Sequence, residues 1–315
     1  MTRHESSWRT AAVVLLLAFA LAPQRAHAQA QRDSSFPVSR TAVVDITMRT
    51  GRLVVRGSDR PSGTVRSTAQ EFTLRSTGVG IVLSPSETMP FSDPSRREWS
   101  RRSTTARGTP TVELELPRGV RLVINTTSAT VDVASITGDV EIRTVSGDVV
   151  LQSLAGRLIL ESISGDILLR DGSGAVRATT VSGNITLGGD IREAALRTTS
   201  GDLRVDGADF VQLRAETVSG DVRIAGGLAD NAQLDIRTHS GDVQAQLPES
   251  ARGTVVLSTF SGTLNARRPL TLLPDESGVE RGARSTRRYS VGGGGAAMLR
   301  ITTFNGDVTL YPDGP

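Results

Sequence analysis

The sequence predicts an all-β fold: a single-domain parallel β-solenoid (β-helix) of two-stranded coils, 18–21 residues per coil. Three observations carry this. Glycines fall at 138, 147, 156, 165, 174 and 183, nine residues apart each time, and a fixed period is the mark of stacked repeats. Apolar residues stand two and four places after them, as in Val149 and Leu151, Ile167 and Leu169, or Leu203 and Val205. This is the period-two alternation of strands. The composition agrees, with 32 glycines and only 3% aromatic residues.

Residues 1–28 are expected to be a secretory signal peptide. Arg3 and Arg9 precede an apolar run, Ala11 to Ala22, that is short for a membrane span, and Ala26-His27-Ala28 offers a small-x-small cleavage site. Residues 29–40 are expected to be a disordered lead, and 41–312 the solenoid, with loop insertions at 75–110 and 267–297. No second apolar stretch long enough to span a bilayer follows, so no transmembrane segment is expected in the mature chain. The expected location is the periplasm, the cell surface or the medium.

Most repeats carry a small-Gly-acid turn. Ser146-Gly147-Asp148 and Ser164-Gly165-Asp166 are followed by Ser182-Gly183-Asn184, Ser200-Gly201-Asp202, Ser219-Gly220-Asp221, Ser240-Gly241-Asp242, Ser261-Gly262-Thr263 and Asn305-Gly306-Asp307. Beyond Gly183 only alternate turns keep this form, which predicts one regular edge and one variable edge. The column two places before the glycine (Val145, Ile163, Val181, Val218, Phe260, Phe304) is expected to face inward. Arg197, Glu216 and Arg237, and likewise Arg214 and Asp235, are expected to form outward ladders of alternating sign. Such Ser-Gly-Asp-Val turns behind a signal-like segment resemble the bacterial putative-adhesin domain of unknown function, a β-solenoid family of envelope proteins. The resemblance covers about 120–312 well and 41–75 loosely. It implies the solenoid fold and an adhesin-like role, and brings no catalytic motif with it.

Composition removes several chemistries. There is no cysteine and no lysine among the 36 basic residues, which excludes thiolate, Schiff-base and P-loop lysine chemistry. The net charge of +3 is too small to suggest a nucleic-acid partner. His239, the one histidine outside residues 1–28, is expected to be a buried or corner residue. Adjacent strand residues point to opposite faces, so Ser240, His239 and Asp242 do not converge as a triad.

Asp148, Asp166, Asp202, Asp221 and Asp242 form a column that either holds calcium or, as the favoured reading, bonds the turn backbone while glycine takes a positive φ. The register differs from the calcium-binding nonapeptide, because here Asp follows Gly directly. Arg96, Arg97, Arg101 and Arg102 around Trp99 form the best candidate anion-binding loop, and Arg281, Arg284, Arg287 and Arg288 before Tyr289 form a second. Val150 and Leu168 break an otherwise polar outward column and make a small apolar patch.

No cofactor is expected. The chain is expected to be an exported non-enzymatic protein that meets an envelope protein or a surface glycan. A calcium-binding repeat protein and a polysaccharide-cleaving solenoid are the alternatives, the latter disfavoured by the shortage of aromatic residues.

Overall fold

A computed structural model describes residues 32–67, 72–77, 80–85, 110–267, 269–274 and 285–312. Among them every regular element is a strand. Successive repeats pair in parallel, residue for residue: Ile167 with Ile185, Leu203 with Val222, Val222 with Val243. The result is a two-walled parallel β-solenoid. Strand residues before each Ser-Gly-Asp turn form one wall, called here the upstream wall, and those after it form the downstream wall.

Alternation puts the core between the walls. Val149, Leu151, Ile167, Leu169, Leu203, Val205, Val222 and Ile224 are buried on the downstream side. Leu158, Leu160, Leu213, Ala215, Leu234 and Ile236 face them from upstream. Full burial of each large aliphatic side chain is worth about 1.5–3 kcal/mol. The variable edge closes with its own buried residues, Phe210 and Ile191 among them.

The regular edge is set by a lack of space. A Cβ on Gly165 would stand 2.4 Å from the carbonyl oxygen of Gly147, and one on Gly183 2.2 Å from that of Gly165. On Gly201 and Gly220 the distance falls to 2.0 Å from the glycine one coil earlier. Positive φ is secondary. Gly147 and Gly220 adopt it, at 119° and 154°, whereas Gly201 does not.

Both ends of the stack depart from chain order. The strand Val43–Ser58 lies between two later segments, with Gly80–Pro85 and Thr111–Pro117 on one side and Arg121–Ala134 on the other. Met298–Asn305 and Val308–Pro312 lie between the coil of Val222–Ser240 and Val243–Leu247 and that of Gly253–Ser261 and Leu264–Ala266. The turn at Asn305-Gly306-Asp307 is therefore next to the last in the stack, although it is last in the sequence.

Antiparallel strands finish the walls. Ser62–Ser67 pairs with Thr111–Pro117 and then with Arg32–Pro37. Phe72–Thr77 pairs with Gly80–Pro85, and Ser285–Val291 pairs with Gly253–Ser261. A reversed strand interrupts further coil stacking and covers an edge open to aggregation.

Three of these strands fall where no strand is expected from the sequence. Arg32–Pro37 lies in the stretch expected to be a disordered lead, and Val38 beside it is buried. Gly80–Pro85 lies in the expected 75–110 insertion, yet Ile81 and Leu83 are core residues because they alternate in register with Val44 and Ile46. Ser285–Val291 lies in the 267–297 insertion.

Space, more than φ, should decide which glycines are replaceable. Gly201→Ala should lower unfolding free energy by about 2–3 kcal/mol, because the neighbouring carbonyl cannot withdraw without parting the coils. Gly293 has φ +85° with nothing within 4 Å of a Cβ, and its alanine variant should lose only about 1 kcal/mol. Urea unfolding of both variants measures the difference. Equal losses would show that coil contact is not the governing constraint.

Candidate functional site

The regular edge and the adjoining upstream wall hold the most ordered side-chain arrays of the molecule. At each turn the residue three places before the glycine is a small hydroxyl facing inward: Thr144, Ser162, Thr180, Thr198, Thr217, Thr238 and Thr303 are all buried. Thr198 and Thr217 donate to the carbonyls of Gly183 and Gly201, one coil back, each at 3.3 Å.

This corrects the expectation for the neighbouring column. Positions seven, five and three before the glycine point inward, so position two before it must point out. Val145, Ile163, Val181, Val218, Phe260 and Phe304 are indeed 40–50% exposed. His239 belongs to the same outward column and is exposed rather than buried. Its ring stacks on Phe304 at 4.8 Å, and Phe304 stacks on Phe260 at 4.7 Å with planes 2° apart. The order His239, Phe304, Phe260 reflects the insertion of the C-terminal coil.

The aspartates work between coils, not within their own turn. Asp148 Oδ1 accepts the backbone N–H of Asp166 at 3.1 Å, and Asp166 Oδ1 that of Asn184 at 2.8 Å. The chain of bonds continues through Asp202, Asp221, Asp242 and Asp307 to Thr263. Asn184 serves through its amide oxygen, so the ladder needs an acceptor and not a charge. Among the described residues no group of three or more His, Cys, Asp or Glu could hold a metal ion.

Asp307 shows what the bond does. It accepts from the Thr263 backbone N–H and, second, from the Thr263 hydroxyl, and these hold its carboxyl below the usual carboxylate range.

On the upstream wall the charges neutralise each other locally. Glu216 receives Arg197 from the preceding coil and Arg214 from two residues away on its own strand. Partial burial pushes the Glu216 carboxyl up, but the two guanidiniums outweigh it and hold the carboxyl below its ordinary value. Arg237, expected to continue the ladder to Glu216, turns instead to Asp235 on its own strand at 2.8 Å. Residues two apart share a face and lie within reach, so own-strand pairing competes with cross-strand pairing. Arg143 likewise pairs with both Glu141 and Glu161.

Val150 and Leu168 are adjacent on the downstream wall as expected, with Asp132 and Thr186 as their outer neighbours, and both are half-buried. Arg96, Arg97, Trp99, Arg101 and Arg102 lie outside the described residues, as do Arg281 and Arg284.

The chain is thus a parallel β-solenoid of short coils that presents ordered columns on one edge. A model of the Toastrack DUF4097 family matches residues 176–311. Among curated proteins none matches. A crystal structure described as a putative cell adhesion protein from Clostridium sporogenes is similar at 11% identity, with a TM-score of 0.22, over 90% of this chain and 99% of that one. A putative adhesin from Bacteroides fragilis is similar at 9% identity, with a TM-score of 0.45, over 89% of this chain and 96% of that one. The fold assignment rests on the strand registers above and not on these superpositions.

Two consequences follow for the aspartate column. Asp202→Asn should leave stability unchanged or slightly raised, because the acceptor remains and repulsion between stacked carboxylates falls. Asp202→Ala should lose about 0.5–1.5 kcal/mol, since the N–H of Asp221 is left to water; thermal unfolding distinguishes the two. For Asp307, a lowered folded-state value means that its contribution is complete above the ordinary Asp range and is lost as pH falls through the depressed value. Carboxyl NMR titration should show Thr263→Val moving the Asp307 midpoint only part of the way back, because the backbone donor remains.

Proposed function

We propose that the chain is an exported, adhesin-like interaction protein of the cell envelope with no catalytic role of its own. The observation that carries this reading is the exposed apolar column on a rigid edge. Soluble monomers seldom leave aligned apolar side chains wet unless something binds there. Residues 1–28, with their short apolar run and Ala26-His27-Ala28, support export.

The residues best suited to catalysis are otherwise engaged. Glu216 is held ionised between two arginines and makes a poor general acid. His239 spends its ring face on Phe304. Among the described residues no helix is long and apolar enough to cross a membrane. The partner in this reading is another envelope protein or a surface glycan, met through the regular edge.

Cell fractionation with N-terminal sequencing tests it. The expected species begins at Gln29 and is found in the envelope or the medium. An unprocessed chain confined to the cytoplasm would overturn the reading.

A further inference from the structure

The apolar column does not stand alone. Three residues further on, across the same turns, stands the aspartate column. Eight stacked turns from Ser146-Gly147-Asp148 to Ser261-Gly262-Thr263, at about 4.8 Å per coil, make a double stripe roughly 34 Å long. Each aspartate commits Oδ1 to the next coil's backbone, which leaves Oδ2 outward. Among the described residues no arginine pairs with Asp148, Asp166, Asp202, Asp221, Asp242 or Asp307, whereas Glu141, Glu161, Glu216 and Asp235 all have arginine partners. The turns thus align six carboxylates that no salt bridge engages beside a column of apolar residues 40–50% exposed; Arg204 and Arg223, two places beyond Asp202 and Asp221 and lining the same cavity, turn to Asp206 and Gln244.

We propose that this double stripe docks a cationic amphipathic polypeptide segment. The apolar face of the segment would lie on Val145, Ile163, Val181, Val218, Phe304 and Phe260, and its basic side chains would reach the carboxylates. The inference rests on the reading of the chain as an interaction protein and names the chemistry of its partner.

Charge complementarity selects this occupant. An anionic membrane or a nucleic acid would meet a line of carboxylates of its own sign. A glycan would need a run of open ring faces, but Phe304 is stacked between His239 and Phe260 and the rest of the column is aliphatic apart from Thr199. A second copy packed antiparallel on the same ridge would bring two acidic columns together.

The molecule supplies its own conservative variants. Asn184 already occupies the acidic column and Thr199 the apolar one, so Asp→Asn and Val→Thr at neighbouring coils should fold. The probe is a fluorescein-labelled, amphipathic Leu/Lys peptide about four helical turns long, titrated against the purified chain by fluorescence anisotropy. Peptides with Glu for Lys, or Ser for Leu, are the controls.

The Leu/Lys peptide should bind, and both controls should not. Val181→Thr with Val218→Thr should weaken binding about tenfold with the salt dependence unchanged. Asp202→Asn with Asp221→Asn should weaken it severalfold at low salt and flatten the salt dependence. Equal binding of the Glu peptide, or affinity untouched by either double variant, would overturn the proposal. So would a chain that is a dimer by light scattering and becomes monomeric in the valine variant, because the ridge would then be a self-association face. These measurements use purified protein, so their failure leaves the export reading standing, and the failure of export leaves them interpretable.

Discussion

The whole structure depends on how closely successive turns approach at the regular edge. From Gly165 onward the glycine of each turn lies against the carbonyl of the glycine one coil back, and Gly147 lies against that of Ala129, with no room for a β-carbon. That contact fixes coil spacing and register at one point in every coil. The other arrays inherit the register. The aspartate oxygen reaches the next backbone N–H because the turns are stacked in phase. At Thr198, Thr217 and Thr238 the inward hydroxyl reaches a carbonyl one coil back for the same reason, and the outward apolar residues align into a column.

Charge is handled differently on the two sides of that edge. On the upstream wall, acids and arginines lie within reach of each other along and across strands, and each exposed pair contributes at most about 1 kcal/mol. Their larger effect is to disfavour slipped registers. At the turns, carboxylates of like sign recur coil after coil, and the backbone takes only half of their acceptor capacity. The first arrangement is self-contained, while the second keeps a field that something outside can use.

Most of the fold was legible because the two periods, nine residues between glycines and two between apolar positions, are both short-range. The outward direction of Val145 and Phe304 was also legible by parity. Inward positions seven and five before the glycine require the Thr or Ser at three to be inward as well, and apolarity at two before outweighed that logic. The stack order was not legible. Gly241 and Gly262 are separated by the same 21 residues as Gly220 and Gly241, so nothing local shows that residues 298–312 return to stand between them. Gly80–Pro85 was hidden likewise, as a short apolar run among prolines whose partner, Val43–Ser58, lies earlier in the chain.

Those two returns give the terminal coils their high contact order, since each is complete only when sequence-remote strands meet. They also allow a direct check. The chain has no cysteine, so introduced pairs report without background. Ser240 and Asn305 are register partners, and Ser261 pairs with the other side of Asn305. Neighbouring strands bring Cα atoms to about 4.8 Å, within disulfide reach, and strands two apart do not. Under mild oxidation, Ser240→Cys with Asn305→Cys should cross-link within the chain, and Ser240→Cys with Ser261→Cys should not. The opposite result would place the coils in simple chain order and contradict the account.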